Sequence, residues 1–122
     1  MPNIIVEYSA GLSNFLSERK FVEKLHIAAL SIPSFPNSGI RTKSYQCTEY
    51  FVGEHIAGEF IHIYIRLQRP RTTEINKDLL DFLFEKAVGL TTDIFSTHQL
   101  RVSIELIEVN QLLTRKKCNL SA

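Results

Sequence analysis

The first group able to do chemistry in this chain is its second residue. Pro2 becomes an amino-terminal secondary amine once Met1 is removed, a step that aminopeptidases favour when a small residue follows. A free α-amino group titrates near roughly 8, and burial or neighbouring cations lower that value toward neutrality. A base whose pKa lies close to the working pH is both available and reactive, so such a nitrogen, fixed at the head of a strand, suits proton transfer. Cations that could assist it are Arg41, just after the Gly39-Ile40 turn, and Arg71, just ahead of a helix. Guanidinium groups hold carboxylates through paired hydrogen bonds and stabilise charge that builds on an enolate oxygen. Arg71 also stands beside helix amide groups, which favour anions. Lys43 and Arg69 are nearby cations of lower rank. Taken singly, each feature is commonplace: most Met-Pro starts are idle and most loop arginines only solvate.

The elements that must position these groups follow from periodicity. Residues 3–8 (NIIVEY) read as a strand closed by a turn at Ser9-Ala10-Gly11. Residues 14–31 place Phe21, Val22, Leu25 and Ala28 or Ala29 at helical spacing, with Ser17 as a candidate N-cap. Pro33 and Pro36 end that helix in a stiff loop. From Ile40 to Val52 the pattern is extended, and Arg41, Lys43 and Tyr45 share one face of the strand. Residues 59–68 alternate most clearly, with Ile61, Ile63, Ile65 and Leu67 opposite Phe60, His62, Tyr64 and Arg66. A second helix is expected from Thr72 or Thr73 to about residue 95, with Leu80, Leu83, Phe84, Ala87, Val88 and Thr91 facing inward. Residues 100–109 alternate again and bury Val102, Ile104 and Leu106, leaving a polar tail, 110–122, as an arm or a loose end.

The order strand–helix–strand occurs twice, in residues 1–53 and 59–109, within one domain of 122 residues. Each unit should hold its strands parallel with a right-handed crossover. The expected fold is α+β: a four-stranded, mainly parallel or mixed sheet with two helices on one face. The other face carries Phe60 and Tyr64 and is too apolar to stay wholly wet, which points to oligomerisation. A half-solvated sheet is the plainer alternative.

Bulk composition narrows the function classes. The chain is 44% hydrophobic and 22% charged with a formal net charge of +1, giving no electrostatic reason to expect nucleic acid or a membrane as partner. Cys47 and Cys118 fit no zinc or redox spacing and are read as inert thiols in a reducing cytoplasm. His26, His55, His62 and His98 are scattered, and His62 is read as a hydrogen-bonded packing residue. Glu105 and Glu108 fall on opposite faces of the last strand, which argues against a paired acid and base there. No metal or cofactor is expected.

The start MPNIIVEYS, the segment GIRTK at 39–43, the strand FIHIYI at 60–65, the Arg71-Thr72 helix entry and SIELIEV at 103–109 together resemble the 5-carboxymethyl-2-hydroxymuconate isomerases, a branch of the tautomerase superfamily. The resemblance spans nearly the whole chain. It implies a homotrimer of tautomerase-like β-α-β repeats, and a cofactor-free reaction in which Pro2 carries a proton between two carbons. The implied substrate is a small-molecule dicarboxylate, an unsaturated 2-hydroxy or 2-oxo diacid of the 5-carboxymethyl-2-hydroxymuconate type. Arg41 and Arg71 would hold its carboxylates and polarise its 2-oxo group. Members often have a glycine-rich approach where this chain has Arg69-Pro70-Arg71, so Arg69 is an alternative ligand to Arg71. Two other readings stand beside this one: a phenylpyruvate-type tautomerase, and a non-catalytic trimeric binding protein whose proline is silent.

Overall fold

A computed structural model of the protein describes residues 2–54, 57–68 and 71–120. Four strands form one sheet in the order β2-β1-β3-β4: β1 Asn3–Ser9, β2 Arg41–Cys47, β3 Glu59–Leu67 and β4 Leu100–Glu108. β1 runs parallel to β2, β3 parallel to β4, and the two units meet antiparallel along β1 and β3. The doubled strand–helix–strand plan is therefore real, and the sheet is mixed.

The alternation of β3 decides which face is covered. Ile61, Ile63 and Ile65 are fully buried, with Ile4 and Val6 of β1 beside them on the same face. Four helical segments cover that face: α1 Ser13–Glu18, α2 Phe21–Leu30, α3 Thr73–Leu90 and α4 Thr92–Phe95. Phe21, Leu25 and Ala29 of α2 join Leu79, Leu83 and Ala87 of α3 and Ile94 of α4 in one core with the sheet. Val102, Ile104 and Leu106 pack against this core but stay partly exposed, since β4 is an edge strand with a neighbour on one side only.

Several boundaries differ from the sequence reading. The first helix is broken at Lys20, whose backbone is left-handed (φ 52°), so Ser17 lies inside α1 and caps nothing. A left-handed lysine costs about 1–2 kcal/mol, which is why periodicity alone reads straight through it. β2 ends at Cys47, not Val52. The second long helix stops at Leu90, where the buried Thr91 hydroxyl donates to the carbonyls of Ala87 and Val88 and a short α4 follows. The inward stripe of α3 starts at Leu79; Leu80, Phe84 and Val88 are only partly buried.

Thr72 caps α3, its hydroxyl oxygen accepting from the Ile75 amide at 3.2 Å. Thr72→Ala should cost about 1 kcal/mol by loss of that cap, a drop of roughly 3–5 °C in Tm for a domain of this size. Thermal unfolding followed by circular dichroism checks it.

The uncovered face is less apolar than expected. His62 bonds Ser103 at 2.6 Å through Nδ1 and Glu105 at 2.9 Å through Nε2, and the Tyr64 hydroxyl donates to Glu7 at 3.3 Å. Partial burial, then the Glu7 carboxylate, push the Tyr64 phenol above its ordinary value. His62 is thus a hydrogen-bonded packing residue. At the C-terminal end of β1 the buried Glu59 carboxylate takes hydrogen bonds from Ser9 and Tyr50, and it lies so close to Gly11 that a Cβ there would collide with it.

Candidate active site

The opposite end of the central strand pair is the chemically dense one. Pro2 leads into β1, and its carbonyl accepts from the Arg41 amide at 3.1 Å, which fixes the proline against the head of β2. In the sheet register Asn3 lies between Arg41 of β2 and Arg66 of β3. Partners in register share a face, so both arginines flank Asn3 on the uncovered side. Pro2 itself is buried.

A cavity of about 490 Å³ opens here, lined by Pro2, Asn3, Arg41 and Arg66 together with Ser38 and Gly39 of the preceding 3-10 turn. Its volume falls in the range of small-molecule sites, roughly 300–1,000 Å³. The Asn3 carboxamide oxygen is buried with no hydrogen-bond partner. A buried acceptor of this kind is costly unless a ligand or water donates to it.

The remaining wall comes from the tail. After β4 the amide of Val109 donates to Leu67 at 2.7 Å, and a 3-10 turn at Gln111–Leu113 follows, with the Asn110 side chain accepting from the Leu112 amide. Thr114 and the run Arg115-Lys116-Lys117 then line the same cavity as Pro2, with Cys118 and Leu120 beyond them. Among the described residues five cations thus surround this space, and none of those lining it is acidic.

The sequence candidates separate in the structure. Pro2 and Arg41 come together. Arg71 does not line this cavity; it donates to the Ser34 carbonyl at 2.7 Å, with its guanidinium 5.4 Å from the centre of the Phe35 ring. Lys43 sits two positions into β2, 5.5 Å from the centre of the Tyr45 ring, and is not on the cavity wall either. Arg69 lies outside the described residues, as do His55 and Met1. Sequence reasoning missed Arg66 and the three tail cations. Arg66 had a signal, since its parity on β3 opposes the isoleucines. The tail had only its charge run. Among the described residues no group of acidic, histidine or cysteine side chains could hold a metal, and no helix is long and apolar enough to cross a membrane. Both thiols are free.

The sequence profile of the 5-carboxymethyl-2-hydroxymuconate isomerase family matches residues 2–122. The chain belongs to this family. Its membership makes it an isomerase of the tautomerase group. A 5-carboxymethyl-2-hydroxymuconate isomerase from Deinococcus radiodurans R1 is similar in structure, with a TM-score of 0.88 and 27% identity over 97% of this chain and 90% of that one. A 5-carboxymethyl-2-hydroxymuconate delta-isomerase superposes with a TM-score of 0.86 at 18% identity, covering 98% and 89% of the two chains. A fused 4-OT wild type symmetric trimer gives 0.60 at 16% identity, covering 87% and 85%. At these lower identities the last two speak to the fold alone, and they bear out the tautomerase-like α+β architecture. No match was found among curated protein sequences.

Proposed function

We propose that this isomerase moves a proton and a double bond within an unsaturated 2-hydroxy or 2-oxo polycarboxylate, with the Pro2 nitrogen, freed of Met1, as the general base. The observation that carries the reading is the coincidence of Pro2 with several cations, and among the described residues no acid, in one cavity. Cations around an amine disfavour its protonated form and lower its pKa, so the nitrogen is a free base near neutrality. It takes a proton from a carbon of the 2-oxo form, or from the hydroxyl of the 2-hydroxy dienol, and the electron pair shifts into the conjugated system. Negative charge collects on the oxygen at C2, where Arg41 and Arg66 stabilise it. Pro2 then returns the proton to a different carbon. No atom is gained or lost, and the step calls on no metal or cofactor.

Charge supports a polyanionic substrate. The compound that names the family carries the two carboxylates of muconate and a third on its carboxymethyl arm. A cavity bordered by five cations suits such an anion better than it suits phenylpyruvate, which has one carboxylate. Assembly as a homotrimer is supported by the sheet face left uncovered here and by a structural relative described as a symmetric trimer. Arg71 and Lys43, outside this cavity within one subunit, would reach a substrate only if the assembled trimer brings them to one.

The test is a substrate series. Wild-type kcat/KM should fall from 5-carboxymethyl-2-hydroxymuconate to 2-hydroxymuconate, and further to phenylenolpyruvate, as carboxylates are removed. Phenylenolpyruvate as the best substrate would replace this reading with the phenylpyruvate-type tautomerase.

A further inference from the structure

We infer that the segment Thr114–Cys118 is the distal wall of the substrate site, and that Arg115, Lys116 and Lys117 bind the carboxylate remote from the 2-hydroxy or 2-oxo end. This rests on the isomerase reading of the Pro2 cavity. The tail reads from sequence as a polar appendage, yet it borders the same space as Pro2, Arg41 and Arg66. Its path is set by hydrogen bonds. Asn110 caps the turn that redirects the chain, and the Leu113 amide donates to the Asn110 carbonyl at 3.0 Å. Arg115 is then fixed by its own backbone, Nη1 donating to the carbonyls of Leu112 and Thr114, each at 2.9 Å. A guanidinium carries five donor hydrogens in a planar fork, so Nε and Nη2 remain to meet a carboxylate.

Charge balance points the same way. The ion pairs among the described residues, Arg19 with Asp93 and His62 with Glu105, lie elsewhere, and none involves a cation of this cavity. Like charges gathered around one space repel each other until an anion enters. Two groups of cations border the cavity: Arg41 and Arg66 beside Asn3 on the sheet, and the run at 115–117 on the tail. A single carboxylate engages one of these groups. A polyanion with carboxylates at both ends of a conjugated chain engages both.

The deciding experiment compares wild type with R115Q/K116Q/K117Q, and also with K116Q/K117Q, which leaves the backbone-bonded Arg115 in place should the triple variant fold poorly. The readout is the ratio of kcat/KM for 5-carboxymethyl-2-hydroxymuconate to that for phenylenolpyruvate. The ratio should fall about tenfold or more, mainly through KM for the polyanion, since each charge-assisted hydrogen bond contributes roughly 1.5–3 kcal/mol. An unchanged ratio in both variants overturns the assignment. Calorimetric binding of adipate, an unreactive dicarboxylate, separates the two readings: wild type that turns over neither substrate but binds adipate more tightly than the variants sinks the isomerase chemistry and keeps the anion site. Equal adipate affinity in all three proteins removes the anion site while leaving Pro2 chemistry intact.

Discussion

An uncleaved N-terminal extension ahead of Pro2 should lower kcat by roughly 10²–10⁴-fold, the range that a positioned general base contributes. The extension converts the proline nitrogen from an amine into an amide, which has no basicity, while the residue stays at the head of β1 with its carbonyl bonded to Arg41. Fold and assembly should therefore survive, and circular dichroism with light scattering would show that they do. A Pro2→Ala variant with Met1 removed distinguishes chemistry from obstruction. It keeps a primary amine at the same place and should retain activity intermediate between wild type and the extended form. Full activity in the extended protein would exclude the nitrogen as base.

Arg41→Ala should reduce kcat/KM by about a hundredfold. The size follows from one charge-assisted, two-point contact of about 1.5–3 kcal/mol, at roughly 1.4 kcal/mol per factor of ten. The side chain is exposed on the edge strand β2, so its loss should leave thermal stability nearly unchanged. In the proposed reaction Arg41 stabilises charge that develops on the oxygen at C2, and on that mechanism kcat should fall together with kcat/KM. A rise in KM with kcat preserved would reassign Arg41 to simple substrate binding. The Arg41→Lys variant should recover only part of the loss, since an ammonium cannot form the paired contact.

The fold was written plainly where burial imposes a strict period. β3 has the isoleucines on one side and Phe60, His62, Tyr64 and Arg66 on the other, and the structure sorts them that way. The doubling of the β-α-β unit followed from element order, and the connection rule supplied the parallel pairs. The helix breaks were not legible. Lys20 adopts a left-handed backbone that its residue type does not advertise, and Thr91 interrupts the second helix through a hydroxyl that bonds back to the preceding turn. Both are tertiary choices over local preference. Leu79 replaced Leu80 at the start of the inward stripe because the register of α3 is set by Leu83 and Ala87 against the sheet.

The candidate site was legible in part, for a physical reason. Pro2 and Arg41 meet because a parallel β1–β2 pair puts the starts of both strands side by side. Arg66 joins them because β3 runs antiparallel and brings its C-terminal end to the same place. Strand parity held that information in advance. The tail did not, because Asn110–Leu113 turns the chain through local hydrogen bonds that leave no periodic trace. Arg71 was ranked on its position before a helix, yet its guanidinium engages Ser34 and Phe35 of the loop after α2.

If the Pro2 nitrogen is a free base held among cations, ¹⁵N NMR of protein labelled at proline reads it directly. A single ¹⁵N-proline resonance should titrate below the ordinary α-amino value of roughly 8, at the same pH as the acidic limb of kcat/KM. An active protein in which no proline nitrogen titrates would exclude Pro2 as the base.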